Sequence, residues 1–409
     1  MESKKSSTLS TGLMFGTSAF GMGMLSMPAI FNQLGYVTAL MIMLFFAAAL
    51  YGSLFCLNLA DDNQETKEFH DYSYFASHIS RKLKALVSVA FVFSNFAVIY
   101  LFLRRATGLT VCLFNMYFDY KGWAFIMFRM LFLVVYALLS TLLFLQEDLS
   151  MLKPMAYVSL FAAFYYSILM IVMGITSPIA FKDLKPFNWY KGMPALLNII
   201  FAAHCQFSFL GFKNILANKN RDSGNKMALI GTVVIFSIYI SVGFFGYKYL
   251  GNGVGSEYIL GLFLENTQTN LLFTNNTIIN ATLYKVMICL LVALFVSIFF
   301  TNIPLTALAF IPEIQELFFM AGYKAKRTPV AMVVGLLMFV LAIPQKLPED
   351  LVLEFSSCFF SNFLSFGFPG IYGMFNSKNT KIKNIGFSLL LLSIFVMGAD
   401  LINIVLTYL

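Results

Sequence analysis

Two glycines and a proline interrupt the first apolar stretch of the chain, which reads GMGMLSMP over residues 21–28. Both residue types weaken a helix, so we expect the backbone to unwind here. Unwinding frees amides and carbonyls that can bind a carboxylate or a cation. The alternative is close helix packing through the small residues Gly12, Gly16, Ala19 and Gly23. The pattern alone leaves both interpretations open.

His204 is the one histidine of three that falls within an apolar stretch. An imidazole exchanges a proton near neutral pH, so it could serve proton coupling. A hydrogen-bonded histidine that only packs is the alternative. The five cysteines lie in or beside apolar segments and lack the paired spacing of a metal site or a disulfide framework. The sequence therefore predicts no metal site and no cofactor.

The composition of the chain as a whole is that of a membrane protein. Of its 409 residues, 59% are hydrophobic and 11% are charged, whereas a soluble domain carries roughly 25% charged residues. Many apolar runs are about 20 residues long, which is the length that crosses a bilayer. We predict an all-α polytopic protein in a lipid bilayer. The net charge of +8 lies in short loops and indicates orientation, with no nucleic-acid partner.

About eleven apolar spans are expected to be transmembrane helices, and no polar stretch is long enough to bury a core of its own. We therefore predict a cytoplasmic tail over residues 1–10 and a single transmembrane domain over residues 11–409. The spans, numbered 1 to 11 in chain order, cover residues 11–34, 36–58, 85–103, 124–145, 154–175, 193–212, 227–250, 283–312, 329–344, 350–374 and 384–408.

Charge and sequons agree on the orientation. A cytoplasmic N-terminus places 17 of the 27 Lys and Arg residues in cytoplasmic segments, as the positive-inside rule requires. Both Asn-x-Thr sequons, at Asn275 and Asn280, then face away from the cytoplasm and are candidates for glycosylation. Sequons favour the secretory pathway, so we expect the plasma membrane or a vacuolar or lysosomal membrane. Protein partners are left open.

Several segments resemble the amino acid/auxin permease family, which belongs to the APC superfamily and is related to sodium-coupled neutral and vacuolar amino acid transporters. Residues 21–35 (GMGMLSMPAIFNQLG) resemble its first-helix signature, G-x-G-x-L-x-L-P-x-A-x-x-x-x-G. The other matches follow in order along almost the whole chain. They lie at residues 72–86, 95–104, 201–227, 238–254, 341–357 and 366–375.

The resemblance implies a LeuT-type fold. Spans 1 to 5 and 6 to 10 would form two inverted repeats, here about residues 11–175 and 193–374, with span 11 at 384–408 as a peripheral helix. Spans 1 and 6 would be discontinuous and unwind at a central site. A substrate carboxylate would meet amides of span 1, and its ammonium would meet span 6. The residues expected at this site are Gly21, Met22, Gly23, Met24, Leu25, Ala203, His204, Cys205 and Gln206.

The sequence does not decide which ion would be coupled to transport. Sodium-coupled relatives carry an asparagine four residues before the first glycine of the signature, where this chain has Thr17. Threonine retains one hard oxygen, so a Na⁺ site that combines Thr17 with Thr301 or Asn302 stays open. Proton coupling, with His204 as the candidate, and facilitated exchange are equal alternatives.

These observations predict a secondary active transporter of amino acids, especially neutral ones, that is driven by H⁺ or Na⁺. The alternatives are a non-transporting amino acid sensor of the same fold and a transporter of another small amine-containing solute. An enzyme would need a cluster of catalytic or metal-binding residues in the membrane, and a channel would need a ring of repeated ligands. The sequence shows neither pattern.

A bulky side chain at Gly23 tests the placement of the site. Because we expect Gly23 to permit the unwound turn, Gly23→Leu should abolish amino acid uptake while the protein still folds and inserts. The measurement is uptake of labelled amino acids beside the amount of inserted protein. Normal uptake by the variant would contradict this placement.

Overall fold

Helices form nearly all of the chain that a computed structural model describes, which is residues 6–62, 72–118, 122–145, 152–189, 192–251, 277–343 and 349–408. Within these ranges the α-helices are α1 (Thr8–Thr17), α2 (Met22–Leu34), α3 (Tyr36–Asp62), α4 (Tyr72–Ser77), α5 (Arg81–Phe118), α6 (Trp123–Phe144), α7 (Leu152–Thr176), α8 (Gly192–Ala202), α9 (Gln206–Asn214), α10 (Arg221–Leu250), α11 (Thr277–Met320), α12 (Arg327–Ala342), α13 (Glu349–Phe355), α14 (Phe368–Asn376) and α15 (Thr380–Tyr408).

The predicted spans are confirmed in number and order. Within the described ranges, nine helical segments are long and apolar enough to cross a bilayer, and α12 is a shorter apolar helix. The pair α1 and α2 accounts for the remaining span. Large apolar side chains on α6, α12 and α15 face outward, with Leu138, Leu336 and Phe395 each more than 60% exposed. Such faces are suited to lipid contact.

Three spans depart from a continuous α-helix. Span 1 is interrupted at residues 18–21 and span 6 at residues 203–205, so the predicted discontinuity of both is confirmed. The third departure, in span 10, was not predicted. There α13 continues through two π-helical segments, Ser356–Ser361 and Phe363–Gly367, before α14 begins. Short π-helical insertions are often associated with functional sites.

The broken helices lie in the interior of the bundle. Helix α10 packs along α1, α2, α3 and α7, while α11 packs against α5, α6 and α7. Helix α8 contacts α2, and α9 contacts α1. The two breaks therefore sit between α10 on one side and α11 on another.

The structure describes little of the two sequon asparagines. Asn275 lies outside the described residues. Asn280 lies in the first turn of α11, but its side chain lies outside the described part of the chain. Glycosylation, the orientation in the membrane and the boundaries of the two repeats all stay predictions.

Glycines set the closest contact between the last two helices. A Cβ atom at Gly386 of α15 would lie 2.6 Å from the carbonyl oxygen of Gly370 in α14, and a Cβ atom at Gly370 would lie 2.6 Å from the Gly386 carbonyl. Both obstacles are backbone atoms, which cannot rotate away. Only glycine fits at either position without separating the helices.

We predict that Gly386→Ala destabilises the protein by roughly 1–3 kcal/mol, the usual cost of overpacking. The measurement is the thermal unfolding temperature of the purified protein in detergent. Gly398→Ala is the matched control on the same helix, because nothing lies within 4 Å of the Cβ position there. Equal unfolding temperatures for the two variants would contradict this account of the contact.

Candidate functional site

The breaks in spans 1 and 6 meet at one point. The hydroxyl oxygens of Ser18 and Ser208 are 2.8 Å apart. The Tyr239 hydroxyl on α10 lies 2.5 Å from the carbonyl oxygen of Ala19 and 2.8 Å from that of Ala202. Tyr239 thus joins the unwound turn after α1 to the C-terminal end of α8.

The turn between α1 and α2 is held through its carbonyls. The amides of Ser18, Ala19 and Phe20 each donate to the carbonyl three residues earlier. The carbonyls of Ala19 and Phe20 themselves accept from side chains. The Ala19 carbonyl accepts from Tyr239, and the Phe20 carbonyl accepts from Nδ2 of Asn302 on α11. Side chains from the second half of the chain therefore fix the break in the first half.

The break in span 1 starts earlier than the residues expected to bind a carboxylate. Met22 to Leu25 form the first turn of α2 and are not unwound. The first amides of a helix lack partners within it, so those of Met22 and Gly23 are the ones that α2 can offer. Met24 donates its amide to the Gly21 carbonyl. The side chains of Met24 and Leu25 are buried in the core.

Gly23 has a packing role instead of the expected conformational one. A Cβ atom at this position would lie 2.1 Å from the Cβ atom of Ala202 at the end of α8. A leucine here would force α2 and α8 apart. The expectation that Gly23→Leu leaves the fold intact is therefore not supported by the packing, and the variant should also lower the amount of folded protein.

The break in span 6 contains no glycine. Helix α8 ends at Ala202 and α9 begins at Gln206, so Ala203, His204 and Cys205 form the link. The Cys205 amide donates to the side-chain oxygen of Gln206 at 3.0 Å, which replaces the hydrogen bond that a continuous helix would supply. A side chain thus caps α9 from within.

A small cavity lies between the two breaks. Its volume of about 30 Å³ holds water but not an amino acid. Four of the predicted site residues line it: Gly21, Gly23, His204 and Asn302. Sequence reasoning missed the other lining residues, which are Ser18, Ala19, Phe20, Val98, Phe102, Phe201, Ala202, Phe207 and Thr306.

The other predicted site residues whose side chains the structure describes do not line this cavity. Thr17 and Thr301 donate their hydroxyls to carbonyls of their own helices, at 2.7 and 2.8 Å. Cys205 is fully buried, and Gln206 turns its amide toward span 10. The side chain of Met22 lies outside the described residues. The described residues absent from the cavity lining are Thr17, Met24, Leu25, Ala203, Cys205, Gln206 and Thr301.

Two buried hydrogen-bond acceptors belong to the side chains that line the cavity. Among the described residues, neither Oδ1 of Asn302 nor Nε2 of His204 has a hydrogen-bond partner. The two side chains are only 3% and 5% exposed. A buried polar atom without a partner is costly. Oδ1 of Asn302 is therefore suited to a hydrogen-bond donor or a cation, and so is Nε2 of His204 when the imidazole hydrogen is on Nδ1.

We predict that Tyr239→Phe loosens both breaks, because the buried carbonyls of Ala19 and Ala202 lose the one hydroxyl hydrogen that they share. Leaving buried groups unpaired costs roughly 1–3 kcal/mol, which should lower the unfolding temperature in detergent. Tyr166→Phe is the matched control, since the buried Tyr166 hydroxyl has no hydrogen-bond partner among the described residues. If both variants unfold at the wild-type temperature, Tyr239 does not hold the breaks.

Known structures share this architecture. The crystal structure of MhsT in complex with L-phenylalanine matches with a TM-score of 0.64 and 14% sequence identity, covering 98% of this chain and 99% of that chain. The crystal structure of an Eremococcus coleocola manganese transporter, in complex with an aromatic bis-isothiourea substituted compound, matches with a TM-score of 0.62 and 12% identity, covering 96% and 86%. At such identities the likeness shows the fold, which is the predicted LeuT-type transporter fold.

Family membership rests on the sequence itself. No curated protein matches the chain. A family model described as transmembrane amino acid transporter protein matches residues 4–408. Both family and fold are those of membrane transporters and not of enzymes. The chain is a multi-pass integral membrane protein that belongs to the transmembrane amino acid transporter family.

Proposed function

We propose that the chain is a secondary active transporter that moves neutral amino acids across a membrane by alternating access. The observation that carries the proposal is the meeting of two helix ends of opposite polarity at one cavity. The N-terminal end of α2 has a partial positive charge and the C-terminal end of α8 a partial negative charge. This polarity suits a zwitterion, whose carboxylate would lie toward Gly23 and whose ammonium would lie toward Ala202 once the cavity has widened.

The preference for neutral substrates follows from the cavity lining. Its described residues include no aspartate, glutamate, lysine or arginine. A charged substrate side chain would therefore enter without a counter-charge, which is costly in a buried site. Aromatic rings of Phe102, Phe201 and Phe207 supply apolar contacts instead.

The size of the cavity supports alternating access. An amino acid exceeds the available volume of about 30 Å³, so the site has to widen before it can be filled. The rings of Phe102 and Phe207 border the cavity from α5 and α9 and can rotate about their side-chain bonds. We propose that they close over the bound amino acid from these two helices.

Coupling is proposed through one of two groups. Asn302 offers a buried oxygen at the cavity, beside Thr306, which suits Na⁺. His204 offers a buried nitrogen, which suits H⁺. Thr17 and Thr301, the other expected Na⁺ ligands, keep lone pairs on hydroxyl oxygens that donate within their own helices. We place the protein in the plasma membrane or a vacuolar or lysosomal membrane, with a cytoplasmic N-terminus.

The test is uptake of a labelled mixture of neutral L-amino acids into proteoliposomes, under an imposed pH gradient and separately under an imposed Na⁺ gradient. Accumulation under one gradient would identify the ion. With Na⁺ as the driver, Asn302→Ala should lose accumulation, and with H⁺ as the driver, His204→Gln should lose it. Ser297→Ala is the control, because that hydroxyl is exposed and bonds only within α11.

Two results would contradict the proposed function. If the same amino acids raise the unfolding temperature but neither accumulate nor exchange, the transporter proposal falls and a sensor of the same fold takes its place. If only amines without a carboxylate are taken up, the substrate is another small amine-containing solute.

A further inference from the structure

The π-helical part of span 10 touches the second break through one side chain, Ser365. The Ser365 hydroxyl oxygen lies 2.8 Å from Nδ1 of His204 and 3.2 Å from Oε1 of Gln206. Its carbonyl accepts the Ser53 hydroxyl of α3 at 2.5 Å. The four side chains of Ser53, His204, Gln206 and Ser365 are all buried. The contacts form a closed polar network behind the His204 ring.

The orientation of the Gln206 amide is fixed by the backbone. Its Oε1 accepts the Cys205 amide at 3.0 Å, and its Nε2 faces the Ser365 carbonyl at 3.5 Å. A flipped amide would set a donor against a donor and an acceptor against an acceptor. Oε1 therefore faces the Ser365 hydroxyl, and it can only accept a hydrogen bond.

The single hydroxyl hydrogen of Ser365 then decides the state of His204. If the Ser365 hydroxyl donated to Nδ1, its contact with Oε1 of Gln206 would hold no hydrogen, whereas donation to Oε1 makes both contacts hydrogen bonds. We therefore assign the hydroxyl hydrogen to the contact with Oε1. The same oxygen is consequently the acceptor toward His204, so the hydrogen between them belongs to Nδ1. A neutral imidazole with its hydrogen on Nδ1 has a bare lone pair on Nε2. That is the nitrogen without a hydrogen-bond partner among the described residues.

We propose that Ser365, together with Gln206, is a positioning residue that keeps His204 in the Nδ1–H tautomer, so that Nε2 accepts a hydrogen bond from the substrate ammonium. This inference rests on the proposed function and adds the group that recognises the amine. The ring lines the cavity beside Ala202, at the negative end of α8. A protonated ring has no lone pair, so amine binding at Nε2 excludes H⁺ symport through His204 and leaves Na⁺ held at Asn302, or exchange of the amino acid against H⁺, as the means of coupling.

The tautomer can be read directly by nitrogen NMR of the purified protein with ¹⁵N-labelled histidine. Only three histidines are present, and the His204 signals are those lost in His204→Gln. Without added amino acid, we expect Nδ1 to carry the hydrogen and Nε2 to be unprotonated. In Ser365→Ala, Nδ1 loses its acceptor and the signals should shift toward a mixture of tautomers. An Nε2–H ring in the wild type, or an unchanged ring in Ser365→Ala, would overturn the proposal.

Transport kinetics supply a second readout. For the labelled mixture of neutral L-amino acids, Ser365→Ala should raise the half-saturating concentration roughly 10-fold or more, the loss expected for a hydrogen bond to a charged group. The maximal rate should change little. Ser365→Thr keeps the hydroxyl and should restore wild-type behaviour. Ser361→Ala is the matched control, because that hydroxyl lies in the neighbouring π-helical segment, Ser356–Ser361, and faces Ser94.

The two readouts separate this inference from the proposed function. A wild-type protein that binds amino acids without uptake, yet shows the Nδ1–H ring, would refute transport and leave the positioning role intact. Uptake by a wild type with an Nε2–H ring would do the reverse. If Ser365→Ala fails to fold, the wild-type spectrum alone still decides the tautomer.

Discussion

The architecture of the site depends on one hydroxyl group. Tyr239 faces the carbonyl of Ala19 in the first break and that of Ala202 beside the second. Helix breaks in a membrane are tolerated only where their backbone groups find new partners. A side chain that serves both breaks therefore makes them interdependent, and α10 becomes the helix that holds the two halves of the site together.

The fold was largely predictable because lipid imposes a simple rule on sequence. Apolar runs of bilayer length give the spans. The motif at residues 21–28 predicts a break in span 1, but only Gly21 lies in the break, while Gly23 and Pro28 lie within α2. The π-helical stretch of span 10 was not predictable. Its residues, including Ser365, read as an ordinary apolar helix, and the widening is evident only from packing against α3 and α15.

The site was predicted in part. His204, Gly21, Gly23 and Asn302 line the cavity as expected. The prediction was less accurate where the reason for a residue lies in a distant segment. Gly23 was expected to permit the unwound turn, but the structure shows that it leaves room for Ala202 between two helices. No local sequence pattern identifies Phe102 as a residue that lines the cavity. In the sequence it cannot be distinguished from the many other phenylalanines of the apolar spans, which only pack.

The contact between Gly23 and Ala202 also limits how the molecule can move. Two helices that meet through a glycine and the single methyl group of an alanine can slide or tilt against each other very little before atoms collide. Helices α2 and α8 should accordingly travel as a single rigid unit. The relative motion that exposes the cavity to either side of the membrane then has to occur elsewhere, for example where this unit meets α5 through larger side chains such as Phe102.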